Sequence, residues 1–211
     1  MNAMELIEFS RLNTRAIEFL AAATDDYIAS RCCLLNGMFP GLRLGAEAVE
    51  KFLKGFVLFD NPSLDVENMY NHRIWAIAED ASKVEPSFAP AKLNYVLKRL
   101  ETHYQNRYPY DDNAAIIRKR PKKPRPKPTR SMSTGEHAGL DDLVLYICEC
   151  LPIPETPKLR LYGPLFLLCC PWLPARDHQA KWLQQENLAF ERAKPMLLQR
   201  YKAMEKQLGE G

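Results

Sequence analysis

Residues 46–59 read AEAVEKFLKGFVLF: two glutamates, two lysines and three phenylalanines in one short segment. Spacing accounts for the mixture. On a helix each residue turns about 100°, so Glu47, Glu50, Lys51 and Lys54 share a sector roughly 100° wide. Glu47 stands four residues before Lys51, and Glu50 four before Lys54. That is the favourable order for ion pairs along a helix, worth roughly 0.2–0.5 kcal/mol each. The rest of the circumference is apolar: Ala48, Val49, Phe52, Leu53, Phe56, Val57 and Phe59, with only Leu58 intruding on the charged sector. A helix lying on a surface buries a narrower stripe. The pattern predicts the central helix of an all-α bundle, with the four charges as its one wet edge.

Upstream, Ile17, Leu20, Ala23 or Thr24, Tyr27, Ile28, Leu34 and Leu35 recur at helical spacing and predict a first helix over 13–38. Gly37 lies near its end, and Pro40-Gly41 is read as the turn. The second helix runs over 42–59, and DNPSLD with Pro62 is a loop. A third helix is predicted over 71–83, with Ile74, Trp75, Ile77 and Ala78 inward. EPSFAP then breaks the chain. A fourth helix is predicted over 91–106 on Leu93, Val96, Leu97 and Leu100, ending at Arg107-Tyr108-Pro109.

Past this point the composition changes: ten of the sixteen prolines lie between Pro121 and Pro174. RKRPKKPRPKPTR, Arg118 to Arg130, is a basic segment of polyproline type that cannot pack a core. A short helix is predicted over 141–151. A last helix is predicted over 177–208, with Leu183, Leu188, Phe190, Ala193, Leu197 and Tyr201 inward and a kink or split at Pro195. The organisation is a bundle over 1–112, a Pro-rich, partly basic insertion over 113–176, and a C-terminal helix over 177–211 that packs on the bundle.

The chain of 211 residues is 46% apolar and carries a net charge of +3. The charge is unevenly spread. The basic segment holds eight Lys/Arg and no acid. Without those eight, 21 basic residues face 26 acidic ones, a balance of −5. The six cysteines are Cys32, Cys33, Cys148, Cys150, Cys169 and Cys170, and close neighbours rarely make a disulfide framework. Glu5, Glu8, Arg11 and Arg15 interrupt the N-terminus, so no signal peptide is expected. A reducing cytoplasm is the expected location. The apolar run Leu165–Cys170 is too short for a bilayer, so no membrane is expected.

The wording of the first two helices, DDYIASRCCLLNGMFPGLRLGAEAVEKFLKGFVLF (Asp25–Phe59), resembles HEPN domains, where an A-x-E-K-x-L-K pattern follows a short turn. Here that pattern is Ala48, Glu50, Lys51, Leu53 and Lys54. His72 opens the third helix, where many members carry His-Asp-Leu. This chain has His72-Arg73-Ile74 and lacks the acid. HYQNRYPYDD (His103–Asp112) is similar to the Arg-Tyr-Pro element of one branch, with Arg107, Tyr108 and Pro109 and the acid delayed to Asp111. The resemblance covers about residues 13–112. It implies an up-down bundle of four to five helices and a homodimer. It also implies RNA or a nucleotide as ligand, and a nucleotidyltransferase-type protein as a further partner.

Ribonucleolytic members carry an arginine, then four to six residues, then a histidine. Arg99 and His103 have only three residues between them. Lys98 has four residues before His103, but lysine lacks the planar fork that grips a phosphate. Arg130 and His137 have the gap but sit in a Pro/Ser/Gly-rich loop. The expectation is therefore binding without cleavage. The alternative is a metal-independent, toxin-like endoribonuclease using Arg99 and His103. A second alternative is a protein–protein interaction or dimerisation module.

Arg99, His103 and Arg107 lie four apart on one helical face, either a phosphate-binding stripe or a solvated face. With His72 and Tyr108 they form the expected nucleotide- or RNA-binding set. For His72 the structural alternative is a helix-end residue that satisfies backbone groups. Arg118, Lys119, Arg120, Lys122, Lys123, Arg125, Lys127 and Arg130 are readable as a nucleic-acid tether, as a polyproline ligand around Pro121 and Pro124, or as a soluble linker. The run has no aromatic residue to stack a base. Cys148, Cys150, Cys169, Cys170 and His178 lack the within-pair gaps of tetrahedral zinc sites. Buried reduced thiols are expected instead, with no metal and no cofactor. Glu47 and Glu50, paired with lysines, are read as structural. The sequence shows no phosphate-cradling glycine loop and no nucleophile elbow.

Overall fold

Apolar residues at three- and four-residue intervals build the first helix, α1, over Thr14–Leu35. It belongs to a computed structural model that describes residues 8, 11–38, 40–70, 72–89, 96–102, 134–151, 182–196 and 199. Leu20, Ala23, Tyr27, Ile28 and Leu34 are buried, while Ile17 and Leu35 are only partly so. The helix ends on Gly37, whose φ of +68° is left-handed. The amide of Gly37 donates to the Leu34 carbonyl at 3.0 Å, and that of Met38 to the Cys33 carbonyl at 2.8 Å. This pair of bonds is the Schellman closure, which satisfies carbonyls the helix cannot.

Helix α2 spans Pro40–Asp60. Pro40 is its first residue, where a missing N–H costs nothing, so Pro40-Gly41 belongs to the helix and not to the turn. Val49, Phe52 and Leu53 are fully enclosed. The helix packs along α1 and also touches the two helices described next as α4 and α5. That is the central position expected from its apolar circumference. Its approach to α1 is close. A Cβ at Gly41 would fall 2.6 Å from Leu34 Cγ, and one at Gly45 would fall 3.0 Å from Ser30 Oγ. Ser30 Oγ donates to the Gly41 carbonyl at 2.7 Å.

The charged sector of α2 is not a wet edge. Glu50 and Lys54 are buried, and Glu47 and Lys51 are partly buried. The Glu50–Lys54 pair forms at 2.7 Å as its spacing requires. The Glu47–Lys51 pair does not. Lys51 reaches Asp26 on α1, and Glu47 accepts from Arg43 at 3.4 Å. The neighbouring helix supplies a carboxylate that intrahelical spacing cannot show.

The third helix, expected over 71–83, is α4 over Ile74–Val84, and a short helix, α3, precedes it over Val66–Tyr70. His72 separates them with φ +62°, a conformation no helix tolerates. Ile74, Ile77 and Ala78 are fully buried and Trp75 partly so. The breaker EPSFAP contains a 3₁₀ turn, Pro86–Phe88. Its Phe88 enters the core edge-on to Phe56 at 4.8 Å and to Tyr146 at 5.4 Å.

Residues 96–102 are helical, with Leu97 and Leu100 buried. Helix α5 spans Thr134–Cys150 and starts seven residues earlier than the predicted Asp141. It buries Leu140, Leu143, Val144 and Ile147 in the same core, so part of the stretch 113–176 is core-forming. Near the C-terminus, 182–184 and 188–196 are helical. Among the described residues a break falls at 185–187, and Pro195 is the penultimate residue of the helical run 188–196. Asn187 starts that run: its Oδ1 accepts from the Phe190 amide at 2.9 Å, an N-cap bond. The restart changes the phase. Leu183, Phe190 and Ala193 are buried, but Leu188 is 67% exposed. Leu93, Leu197 and Tyr201 lie outside the described residues.

Among the described residues there is no strand, and the fold is all-α. No helix among them is long and apolar enough to cross a membrane.

Candidate functional site

His72 stands between α3 and α4, and its backbone turns the side chain toward α2. Its Nδ1 lies 3.1 Å from Glu50 Oε1, the same oxygen that accepts from Lys54 at 2.7 Å. Glu50 and Lys54 are 5% exposed at their side chains, while the imidazole is 52% exposed. A carboxylate only accepts, so Nδ1 carries the proton in this contact. The Lys54 ammonium also lies 5.9 Å from the centre of the Phe19 ring. The contact of His72 with Glu50 is thus to a side chain of α2. The N-cap of α4 is Arg73, whose side chain makes no cap bond.

Arg73 is exposed beside His72. Three residues past His72, Trp75 is partly exposed and donates from Nε1 to Glu79 at 3.0 Å. Lys98, exposed on 96–102, holds its ammonium 5.9 Å from the centre of the Trp75 ring, within cation–π range. Around the beginning of α4 the chain thus carries an imidazole, an arginine and an indole within four residues, with the Lys98 ammonium on the indole. Of the expected binding set, the structure describes His72 and Arg99. Arg99 is exposed on the element that carries Lys98. His103, Arg107, Tyr108 and the run Arg118, Lys119, Arg120, Lys122, Lys123, Arg125, Lys127 and Arg130 lie outside the described residues. Arg73, Lys98 and Trp75 were absent from the expected set. Arg73 takes the position of the acid in His-Asp-Leu, and that departure was their one signal in the sequence.

A second polar group is built on buried side chains. Arg31 of α1 is 2% exposed and ion-paired with Asp141 of α5. Its Nε donates to the Trp182 carbonyl at 2.8 Å, and its Nη2 to the Gln185 carbonyl. Tyr27 OH donates to the other Asp141 oxygen at 2.5 Å and accepts from Asn187 at 3.3 Å. Burial, followed by the negative charge of Asp141, pushes the Tyr27 hydroxyl well above its ordinary pKa. The network joins α1, α5 and the C-terminal segment through the buried side chains of Arg31, Asp141, Tyr27 and Asn187. It has the makings of a structural clasp and not of a reactive centre. Sequence reading passed over Arg31, although it lies one turn after Tyr27 on the apolar stripe.

Cys32, Cys33, Cys148 and Cys150 are free thiols. Burial pushes the Cys148 thiol far above the ordinary thiol range, away from the reactive thiolate. Cys33 and Cys150 are raised by burial as well. Among the described residues no group of three or more His, Cys, Asp or Glu could hold a metal. Cys169, Cys170 and His178 lie outside them. Compared with known proteins, the chain matches no family model, no curated protein and no solved structure.

Proposed function

We propose that the chain is a HEPN-like helical module that binds single-stranded RNA or a nucleotide without cleaving it. The helix order and the Ala48, Glu50, Lys51, Leu53 and Lys54 pattern support the family reading. The observation that carries the ligand class is the face at the start of α4. There Arg73, His72 and Lys98 stand exposed beside the partly exposed Trp75. Cations meet phosphates, and an indole offers a surface for a base; this pairing is the usual equipment for unpaired nucleic acid. Arg99 and His103, with three intervening residues, fall short of the ribonucleolytic spacing. A homodimer and a nucleotidyltransferase-type partner belong to the same proposal.

The test is binding of a labelled mixed-sequence single-stranded RNA, with EDTA present, at two salt concentrations. The intact chain, a deletion of Arg118–Arg130, and R73A/K98A are compared. The expected outcome is binding that survives the deletion and weakens at least tenfold in R73A/K98A. The salt slope should also flatten by about 0.7 for every phosphate no longer neutralised. Binding that vanishes with the deletion alone would move the site to the basic run. Metal-free cleavage that disappears in His103→Ala would establish the ribonuclease alternative. A chain that binds no RNA at low salt is a protein-interaction module instead.

A further inference from the structure

We infer that the Trp75 indole is the stacking contact for one unpaired base, and that Lys98 is its exchangeable cover. The ammonium leaves the ring as the base arrives and takes the phosphate of the same nucleotide. The inference rests on the nucleotide- or RNA-binding reading above. It goes beyond that reading by assigning the base to one ring and by giving Lys98 two alternate positions.

Three observations carry it. The first is how the ring is set. Trp75 is the second residue of α4, packed against the core and still partly exposed. Its Nε1 donates to Glu79, one turn further on, at 3.0 Å. An indole packed on the core and bonded at its polar edge holds its plane before a ligand comes, which lowers the cost of stacking. The second is what stands over the ring. The Lys98 ammonium lies 5.9 Å from its centre, near the outer limit of about 6 Å for a cation–π contact. The third is the setting of Lys98. It is exposed on 96–102, and among the described residues no carboxylate is ion-paired with it.

A base and the ammonium cannot share that face. A stacked base lies about 3.5 Å above a ring, inside the space the cation now guards. An exposed cation–π contact is weak, and lysine carries a strongly hydrated charge on a flexible stem. Stacking a base on an aromatic ring gains more, so the exchange favours the base. The displaced ammonium stays within one side-chain length of the ring. There a phosphate attached to the base meets it in a charge-assisted bond. Glu79 stands at the Nε1 edge and repels a phosphate there, which leaves the Lys98 side. A nucleoside therefore displaces the cation for the stack alone, whereas a nucleotide keeps the cation as a partner.

The test uses the full chain with adenosine, adenosine 5′-monophosphate and a 5′-hydroxyl RNA. Titrations follow the nitrogen-15 signals of the tryptophan indoles, and Trp75→Leu assigns the one that belongs to Trp75. The monophosphate is expected to bind and to move that signal. Lys98→Ala should split the two small ligands by sign. Adenosine should bind about two- to fivefold more tightly, because the cover is gone. The monophosphate should bind about threefold more weakly, because the lost phosphate bond outweighs the uncovered ring. Trp75→Leu keeps the apolar packing and should weaken both ligands about tenfold with the melting temperature held. If Trp75→Leu melts low, the Lys98→Ala split still decides, since Lys98 is exposed.

RNA binding that moves the Trp75 signal and weakens in both variants, without mononucleotide binding, assigns the exchange to a phosphodiester chain and supports the inference. Binding that leaves the Trp75 signal in place overturns it, while the proposed function stands. A Lys98→Ala effect of the same sign on adenosine and the monophosphate does the same. A chain that binds none of the three ligands overturns both.

Discussion

Arg31 donates from all three of its nitrogens, to one carboxylate and two backbone carbonyls, inside the protein. Removing one member of a buried ion pair strands the other, at a cost of about 3–5 kcal/mol. Arg31→Ala should therefore lower the unfolding free energy by about that amount, read from urea denaturation. R31M/D141L, which removes both charges, should recover most of it. If the two single variants and the double variant are simply additive, the pair is not coupled. The position of Arg31 was legible: four after Tyr27 and three before Leu34, it falls on the buried face. Its partner was not, because Asp141 lies 110 residues away and helical periodicity carries no information across that separation. The same holds for Lys51. Its turn on α2 was legible, but its choice of Asp26 over Glu47 depends on which helix lies alongside.

At the scale of elements, two glycines show how differently one residue type can serve. Gly37 has nothing within 4 Å of a Cβ, but its φ is +68°. Gly45 has ordinary backbone angles, but a Cβ there would meet Leu140 Cδ2 at 2.8 Å. Gly37→Ala should thus cost about 1–2 kcal/mol through the backbone alone. Gly45→Val should cost about 1–3 kcal/mol by overpacking where α1, α2 and α5 meet. Thermal melts of the two variants give the values. A second substitution, Leu140→Ala, separates the mechanisms: it should relieve Gly45→Val and leave Gly37→Ala untouched. Long periodic stretches were read well, as Ala46–Phe59 shows. The breaks were read poorly. The break at Asn187 was missed, although its side-chain cap offers the new helix a start. His72 stands at the entry to the third helix, as its place in the sequence suggests, but its left-handed backbone is not legible from its immediate neighbours. Its contact with Glu50, twenty-two residues earlier, holds it there.

At the scale of the molecule, charge and burial set a pH range. Tyr27 is raised mainly by burial, and so is Tyr70, which donates to Asp80 at 2.8 Å. A group whose folded pKa is raised contributes stability that is complete below its unfolded pKa and declines above it. For tyrosine the unfolded value is about 10. Because burial raises the Cys148 thiol as well, stability should begin to fall above the ordinary thiol value of about 8.5 and fall more steeply past about pH 10, and Tyr70→Phe should soften that upper part. Urea denaturation between pH 8 and 11 gives the trend. Tyrosine absorbance should show these two hydroxyls ionising only as the chain unfolds. The all-α class was legible throughout, because it follows from period and composition. Of the residues at the start of α4, His72 alone is marked by the sequence. Trp75 and Lys98 meet only once the fourth helical stretch lies against α4. The Arg31 clasp has one more property. It holds 182 and 185 by main-chain oxygens, which every amino acid supplies alike. Random mutagenesis should accordingly find position 185, an exposed turn residue, open to almost any letter, while 31 and 141 admit few. A search for related chains that weighs residue identity along this segment would miss the contact entirely, because what is inherited there is the path of the chain.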